Sequence, residues 1–459
     1  MAVWSEVNRA SINEIDRFDA EYYKPEYIEI SNTLNKINTD KLNSYIDFVQ
    51  CGPFGSTIKN NTYISDGVIV ARPFNVNSCV FEPDNIVYIS EEDVNKKNLS
   101  LYDDKDIFFA RVGDIRVGIL SKTNINKKVT ISPNIIATRL NNKKIYPEFV
   151  VLFFNTMLGH KQIERALKVV AQPTISTELI RKLKLFIPSK QIQEEVSILF
   201  NKSLELKQLS QSLYTQAQEL LERELGLDKL FFDKPLSYEA RLSEVVGNNR
   251  ADADYYQIPF RSLGNHLKNL NTIPLGKMAT IIKGIEVGSD SYVESGIPFL
   301  RVSNIKEKGI SLGNSDKYIS SRLYSALKCY QPQVGELLLT KDGTPGVCYT
   351  VTDEIEGIVS GGIVRLQLHD NSFPKEYLSL VVNSRICKMQ IDQECSGALI
   401  VHWKPNSIRK LKIPVLSDST MKELGRLVSE SKKALTESRQ LLEQAKRRVE
   451  ELIEQAVQK

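Results

Sequence analysis

The stretch KQIQEEVSILFNKSLELKQLSQSLYTQAQELLEREL, residues 190–225, carries an apolar residue at every seventh position. This heptad line consists of Ile192, Leu199, Leu206, Leu213 and Leu220. Repetition by seven is typical of a helix that packs along its length against another helix. No Pro or Gly interrupts the run before Gly226, which is well placed to cap its C-terminal end. We therefore predict one long helix here.

A second run of the same kind lies between residues 417 and 457. Its heptad line is Met421, Val428, Leu435, Leu442 and Val449. A line of small residues follows each run at the same offset, Ser203, Ser210 and Ala217 in the first helix and Ser431, Ser438 and Ala445 in the second. Because small residues let two helix axes approach closely, we predict that the two helices form an antiparallel coiled coil. The alternative is two unrelated amphipathic helices, each packed on its own domain.

The rest of the chain uses one pattern twice. The matching segments are Arg17-Phe-Asp-Ala-Glu-Tyr-Tyr23 with Arg250-Ala-Asp-Ala-Asp-Tyr-Tyr256, Gly67-Val-Ile-Val-Ala-Arg72 with Gly296-Ile-Pro-Phe-Leu-Arg301, residues 106–113 with 336–343, and residues 183–188 with 411–414. They occur in the same order and at nearly the same offset, which indicates an internal duplication.

Each repeat predicts a mixed sheet, a short helix, an exit strand and then a long helix. The predicted strands cover residues 68–71, 107–110, 135–140, 297–300, 337–339 and 362–368, and the short helices cover 147–158 and 374–382. The expected fold class is α+β, a tandem repeat of two globular mixed α/β domains separated by two long helices that form an antiparallel coiled coil. The predicted boundaries are 1–188 and 227–415 for the globular domains and 189–226 and 416–459 for the helices.

Composition is ordinary for a globular protein, at 42% hydrophobic residues and a net charge of +4. No apolar run is long enough to span a membrane, and the N-terminus lacks the pattern of a signal peptide. The six cysteines show no CxxC spacing. We therefore expect reduced, structural cysteines and a cytoplasmic location.

The search for reactive groups predicts no catalytic residue, no metal site and no cofactor. The four histidines are scattered and form neither HExxH nor a His-Cys cluster. There is no glycine-rich S-adenosylmethionine loop and no Asn-Pro-Pro-Tyr-like motif of an adenine methyltransferase. Gly52-Pro-Phe-Gly55-Ser-Thr-Ile-Lys59 is not a P-loop, because its Lys follows the Ser-Thr pair. It is either a turn that offers backbone N–H groups to a phosphate or an ordinary surface turn.

Two similar globular blocks joined by long helices suit a long, repetitive ligand such as DNA. A helix of roughly 34 residues spans about 50 Å, and paired DNA readers often lie about one duplex turn apart. Arg72 and Arg301 end equivalent strands, as do Arg111 and Lys341, and Arg and Lys read guanine edges or hold phosphates. The candidate DNA-binding residues are Gly52, Phe54, Gly55, Ser56, Lys59, Arg72, Arg111, Lys127, Lys128, Lys283, Ser289, Arg301, Asn304, Lys306, Lys341, Trp403 and Lys404.

The whole chain resembles the specificity subunits of Type I restriction-modification systems. The resemblance is carried by residues 52–56, by the Tyr-rich segment 17–23 with its repeat, and by Ile187-Pro188 leading into Gln191-Ile-Gln-Glu-Glu195. The second repeat departs from it at Ile413-Pro-Val-Leu-Ser417 and at residues 284–289.

The resemblance implies a non-catalytic subunit in which each globular domain reads one half of a split, asymmetric site in double-stranded DNA. Its implied partners are two adenine methyltransferase subunits, which dock on the helices and bind S-adenosylmethionine; whether a motor-nuclease restriction subunit joins is left open. One alternative is the recognition subunit of a related system whose methylase and nuclease share one chain. Others are a duplicated DNA-modifying enzyme with an unrecognised active site and a protein–protein scaffold.

Overall fold

The chain divides into two units, one built from the two ends of the sequence and the other from the continuous segment between them. A computed structural model describes residues 4–7, 18–55, 57–58, 60–77, 79–113, 115–123, 125–167, 174–230, 237–313, 316–370, 372–395 and 401–458. Unit 1 comprises Met1–Gln208 and Ala434–Lys459, and unit 2 comprises Leu209–Lys433. Both divisions between the units fall inside long helices, so the domain boundaries predicted from the sequence stay a prediction.

Unit 1 combines one large mixed sheet with a smaller one. Its strands are β1 (Thr39–Lys41), β2 (Ile46–Cys51), β3 (Val68–Ala71), β4 (Val76–Asn77), β5 (Cys79–Phe81), β6 (Val87–Ile89), β7 (Ile107–Ala110), β8 (Val117–Ile119), β9 (Val129–Ile131), β10 (Ile135–Leu140) and β11 (Lys184–Phe186). The large sheet has the order β2-β10-β7-β8-β5-β4, the small sheet has the order β6-β3-β9, and β1 pairs with β11. Parallel pairing of β5 with β8 and of β3 with β9 makes both sheets mixed.

Unit 2 repeats this arrangement. Its strands are β12 (Thr272–Pro274), β13 (Ala279–Lys283), β14 (Tyr292–Val293), β15 (Ile297–Leu300), β16 (Ile305–Lys306), β17 (Gly309–Ile310), β18 (Lys317–Ile319), β19 (Leu337–Thr340), β20 (Cys348–Thr350), β21 (Ile358–Val359), β22 (Ile363–Leu368) and β23 (Lys412–Pro414). The order β13-β22-β19-β20 matches β2-β10-β7-β8 strand for strand. The parallel pair β15 and β21 likewise matches β3 and β9, so the duplication predicted from sequence extends to strand pairing.

The helices follow the sheets in the same order in both units. In chain order they are α1 (Pro25–Lys36), α2 (Glu91–Lys96), α3 (Pro147–Phe154), α4 (Met157–Ala166), α5 (Thr177–Lys182), α6 (Lys190–Glu224), α7 (Leu242–Asn248), α8 (Ile258–Lys268), α9 (Leu275–Met278), α10 (Ser321–Ala326), α11 (Lys375–Asn383), α12 (Arg385–Cys395), α13 (Pro405–Lys410) and α14 (Asp418–Gln458). No helix of the described residues is long and apolar enough to cross a membrane.

The prediction of a single short helix at 147–158 is wrong, because the chain forms two helices there. The first ends at Phe154, and the Thr156 hydroxyl accepts a hydrogen bond from the Gly159 N–H at 3.3 Å, which caps the start of the second. Unit 2 makes the same break between α11 and α12. Because both helices of the pair are apolar on one face, the sequence pattern continues through the break and conceals it.

Antiparallel packing of the long helices is seen within each unit. In unit 1 the Ser438 hydroxyl donates to the Ser203 carbonyl at 2.7 Å, and Arg448 pairs with Glu195 at 3.3 Å. Residue numbers therefore rise along one helix as they fall along the other, which makes the helices antiparallel. In unit 2 the Ser431 hydroxyl donates to the Ser210 carbonyl at 2.6 Å. The small-residue line is therefore the contact line, as predicted.

Candidate nucleic-acid interface

A turn closed by a buried asparagine follows the central strand of the small sheet in unit 1. The Asn75 side-chain oxygen accepts from the Arg72 N–H at 3.1 Å, and its amide donates to the carbonyls of Glu82 at 3.2 Å and Asp84 at 2.6 Å. Asn75 is fully buried, and the Glu82 N–H donates back to its carbonyl at 2.8 Å. These bonds fix the backbone at Arg72, the first residue after β3.

Unit 2 builds the same turn around Asn304. Its side-chain oxygen accepts from the Arg301 N–H at 2.8 Å, and its amide donates to the Ser311 carbonyl at 3.0 Å and to Asp316 at 2.7 Å. The Ser311 N–H returns a bond to the Asn304 carbonyl at 2.9 Å. The repeat therefore extends from the pattern of strands down to individual hydrogen bonds, with Arg301 in the place of Arg72.

The two guanidinium groups differ in their surroundings. Arg72 is half-buried and donates to the Asn85 carbonyl, while its Nε is buried without a hydrogen-bond partner. Arg301 is exposed, and its guanidinium makes no hydrogen bond or ion pair with the residues that the structure describes. Beside Arg72, the ring of Phe74 is 56% exposed, an aromatic surface that sequence reasoning missed because the preceding Pro marks only a turn.

Each turn is also tied to α6 within its own unit. In unit 1 Lys207 pairs with Glu82, whose second oxygen accepts from Asn77 at 2.8 Å. In unit 2 the Tyr214 hydroxyl donates to Glu307 at 3.2 Å, and Lys388 pairs with the same carboxylate at 2.8 Å. Burial raises the pKa of Tyr214, and the Glu307 carboxylate raises it further, so the phenol stays a donor. The sequence carried no signal for these contacts.

Arg111 and Lys341 occupy matching positions at the ends of β7 and β19. The Arg111 N–H donates to the Asn134 carbonyl at 2.8 Å, and the Lys341 N–H donates to the Gly362 carbonyl at 2.9 Å. Their charged groups turn to nearby protein atoms: Arg111 contacts Cys51 Sγ at 3.4 Å, and Lys341 pairs with Asp342. Both side chains are half-buried beneath the loops that follow.

The glycine turn has a packing role at its first position. A Cβ on Gly52 would lie 2.0 Å from the Ser132 carbonyl oxygen, and one on Gly284 would lie 2.1 Å from the Ser360 oxygen. The Gly52 N–H already donates to the Ile135 carbonyl at 2.9 Å, so it is not offered to a phosphate. Gly55 and Phe54, which is 88% exposed, form the tip of the turn. Ser56 and Lys59 lie outside the described residues.

The remaining predicted residues fall into three groups. Lys127 and Lys128 are exposed and pair with Asp66 and Glu91. Ser289 and Lys306 are exposed on loops and edges of unit 2. Asn304 and Trp403 are 3% and 2% exposed, and they lie inside the unit.

Lys283 and Lys404, far apart in the sequence, line one groove of unit 2. Lys283 ends β13 and Lys404 immediately precedes α13, and both are exposed. Arg409, on the same groove, was missed because it lies in the basic run 409–412, whose charges look like a solvated helix face.

The structure contains no group of three or more His, Cys, Asp and Glu side chains, among the described residues, that could hold a metal ion. All six cysteines are free thiols. Burial raises the pKa of Cys79 and of Cys348 to about 12, so these two thiols remain protonated near neutral pH.

Comparison with protein-family models and with curated protein sequences finds no match. Among solved structures, the S subunit of a Type-I restriction-modification system from M. genitalium is similar at 12% identity and a TM-score of 0.46, over 92% of this chain and 96% of that chain. The HsdS subunit from Thermoanaerobacter tengcongensis is similar at 13% identity and a TM-score of 0.27, over 91% and 96%. The type IIG restriction endonuclease BpuSI, at 9% identity and a TM-score of 0.30, covers 41% of this chain and 29% of that chain. Both S-subunit structures are thus similar over more than nine tenths of this chain, at 12% and 13% identity.

Proposed function

We propose that this chain is the non-catalytic DNA-recognition subunit of a Type I restriction-modification complex, and that each unit reads one half of a split, asymmetric site. The observation that carries the proposal is the duplicated asparagine-closed turn. It holds an arginine at the end of the same strand in both units, Arg72 in one and Arg301 in the other. Two rigid turns of one design, surrounded by different side chains, suit two half-sites of different sequence.

The proposed contacts divide by chemistry. In this proposal Arg72 and Arg301 donate to base edges, because a guanidinium presents a planar pair of donors that matches guanine O6 and N7. The exposed lysines hold phosphates, which fix the register without reading sequence. Asn304 and Trp403 are buried, so in this proposal they do not touch DNA.

The proposed partners are those that the sequence resemblance implies. Two adenine methyltransferase subunits would dock on the long helices and supply S-adenosylmethionine and the methyl transfer. A motor-nuclease subunit would join only in a complex that also restricts DNA. This chain would supply only the recognition of the DNA sequence.

Arginine substitutions test the assignment of half-sites. We expect Arg72→Ala and Arg301→Ala each to cost about 1–3 kcal/mol of binding and to relax base preference only in its own half. Binding is measured on a library of duplexes with each half varied separately. Arg301→Lys is the matched control, since it keeps the charge but loses the planar fork. An equal loss in both halves would show that the residues do not read bases.

The non-catalytic role is tested with the purified chain. We expect no transfer of labelled methyl groups from S-adenosylmethionine to DNA and no cleavage until methyltransferase subunits are added. Sustained turnover by the chain alone, in a preparation free of partner subunits, would contradict the proposal and favour a duplicated enzyme.

We propose that the helix pair sets the spacer between the half-sites. Seven residues inserted after Gln208 and seven after Lys432 keep the heptad line in register and lengthen each helix by about 10 Å. That length corresponds to about three base pairs at ~3.4 Å each. We expect methylation by the assembled complex to prefer a longer spacer, or to fail on every spacer. Full activity on the original spacer would mean that the helices do not measure it.

A further inference from the structure

Unit 2 contains a groove of about 500 Å³ that the arginine turns do not account for. It lies between the end of β13 and the helix α13. The lining side chains include three cations, Lys283, Lys404 and Arg409, and no carboxylate. Three cations that line one groove without a counter-charge among them repel one another, and a bound anion would relieve that repulsion.

The cations are held at the groove in different ways. The ammonium groups of Lys283 and Lys404 make no hydrogen bond or ion pair with the described residues, so they remain available. Arg409 is fixed at its stem: a Cβ on Gly276 would lie 2.8 Å from the Arg409 Cβ, so only glycine lets the two segments pack this closely. One nitrogen of its guanidinium donates to Asn406 at 3.3 Å, which leaves other N–H groups free to donate.

Polar groups on the groove floor complete the site. Asn406 and Ser407 line it together with the cations. Ser407 donates its hydroxyl to Glu394 at 2.8 Å, which lies outside the lining set and fixes the serine.

The corresponding place in unit 1 keeps only the arginine among these three charges. Lys283 is replaced there by Cys51, and Lys404 by Ser176, whose hydroxyl accepts from the Leu179 N–H at 3.2 Å. Arg181 is the counterpart of Arg409, but its guanidinium donates to Asn43 at 2.8 Å. Asn43 occupies the position of Gly276. Since the same fold forms without the lysines, the fold does not need them.

We infer that this groove binds neighbouring phosphate groups of the DNA backbone and is a sequence-independent anchor of unit 2 alone. The inference rests on the proposed function and adds an asymmetry to it: one half of the site would be held by phosphate contacts that the other half lacks. Lysine and arginine in a groove, with an amide donor nearby, are among the groups that bind backbone phosphates. Arg409 becomes a DNA-contacting residue beside Lys283 and Lys404.

The test measures DNA affinity of the full chain, assembled with its methyltransferase subunits, as a function of salt between about 50 and 200 mM. The variant is Lys283→Gln/Lys404→Ser, the serine being the residue that unit 1 has. The matched control is Lys268→Gln/Lys328→Ser, which removes two exposed lysines of unit 2 that lie outside the groove. Thermal unfolding of each variant checks that the fold is kept.

We expect the groove variant to lower the slope of log Kobs against log salt by about 1.8, at ~0.9 for each phosphate that is no longer neutralised. Affinity at 0.1 M salt should fall roughly tenfold to 100-fold, equally on specific and unrelated duplexes. The control should keep the slope of the unaltered complex. Adding Arg409→Gln should lower the slope again.

Two results overturn the inference while leaving DNA recognition intact: an unchanged slope in the groove variant, or a loss confined to one base sequence, which would mean base reading. Displacement of DNA by inorganic phosphate at matched ionic strength, abolished in the groove variant, would instead make the groove a site for small anions. If the unaltered complex binds no DNA at all, the proposed function itself is wrong.

Discussion

The turns that carry Arg72 and Arg301 share their inner bonds and differ in almost everything outside them. Inside, Asn75 and Asn304 make the same bonds to backbone groups on either side of the turn. Outside, Arg72 is half-buried against the Asn85 carbonyl, whereas Arg301 is exposed. A turn fixed through its backbone places no demand on the side chains around it. This separation of support from surface lets one fold present two different surfaces.

The ties to α6 show the same division. Both turns are held to this helix, yet one tie is a lysine–glutamate pair and the other is a tyrosine hydroxyl on a glutamate that also pairs with Lys388 of α12. The position of the tie is repeated, with Lys207 and Tyr214 one heptad apart, while its chemistry is not. The attachment of the turn to α6 is thus present in both repeats, whereas the side chains that make it differ.

The largest loss of stability is expected at the two glycines whose backbone packs directly against the backbone of another segment. Gly52→Ala and Gly284→Ala should each lower the free energy of unfolding by about 3 kcal/mol, because the new Cβ would lie 2.0 or 2.1 Å from a carbonyl oxygen and a strand must move. Denaturant unfolding measures the change. Gly55→Ala and Gly288→Ala are the controls, since nothing lies within 4 Å of a Cβ there. Similar losses in controls and variants would mean that the close approach does not matter.

The asparagines come next. Asn75→Ala and Asn304→Ala should each cost about 2 kcal/mol of stability, because buried backbone groups lose their partners. Each should also weaken DNA binding in its own half-site only. Asn77→Ala, which removes bonds to side chains instead, is the milder comparison within the same turn. If one asparagine proves dispensable, the two turns are less alike than their bonds indicate.

A buried lysine distinguishes unit 2 from unit 1, and its replacement is expected to raise the free energy of unfolding instead of lowering it. Lys432 in α14 is 8% exposed, its ammonium has no hydrogen-bond partner, and it lies 5.1 Å from the centre of the Tyr349 ring. The matching position of α6 is Leu204, which is 4% exposed. Lys432→Leu should therefore raise the free energy of unfolding at neutral pH by about 1–2 kcal/mol, after the loss of the cation–π interaction is counted.

The same lysine predicts a pH dependence. Burial lowers the pKa of Lys432, although the nearby Glu376 carboxylate partly opposes this. A group whose folded pKa lies below its unfolded value destabilises the fold most at low pH, and stability returns as pH rises from the folded value toward about 10.4. Unfolding measured across this range should show that rise in the natural chain and not in Lys432→Leu. An identical slope in both would contradict the assignment.

The smallest effect is expected at the ties to α6. Lys207 and Glu82 are each 26% exposed, so their coupling should be about 1 kcal/mol in a double-mutant cycle of Lys207→Met and Glu82→Gln. A parallel cycle of Tyr214→Phe and Glu307→Gln should give a similar coupling in unit 2. Charge reversal, Lys207→Glu with Glu82→Lys, should restore half-site affinity if the tie positions Arg72. Failure of that rescue would leave a purely structural contact.

Much of the fold could be predicted from the sequence because the sequence is repetitive. The strands at 68–71, 107–110, 135–140 and 297–300 have the predicted bounds, and the serine line is the helix contact. Apolar periodicity and duplication are local signals, and they survive without knowledge of tertiary contacts. The break between α3 and α4 was missed because a hydroxyl cap, Thr156, interrupts the helix without interrupting its apolar face.

The candidate site was less readable, for a physical reason. Asn304 looked like an exposed loop residue, because a polar side chain in a turn gives no sign that it bonds inward. Lys283 and Lys404 share a groove only once two distant segments are packed together. Which cations face a ligand, and which pair with a neighbour as Lys127 does with Asp66, depends on contacts that no single stretch of sequence contains.

Both crossings of the chain between the units occur inside helices, at residues 208–209 in α6 and 433–434 in α14. Limited proteolysis, which usually separates domains at an exposed connection, would not release an intact half of this protein. A cut after α6, near Gly226, would yield an N-terminal fragment that lacks the last segment of unit 1 and a C-terminal fragment that lacks the first segment of unit 2. Neither fragment is whole, so two such pieces produced together would have to complement each other before either unit could fold.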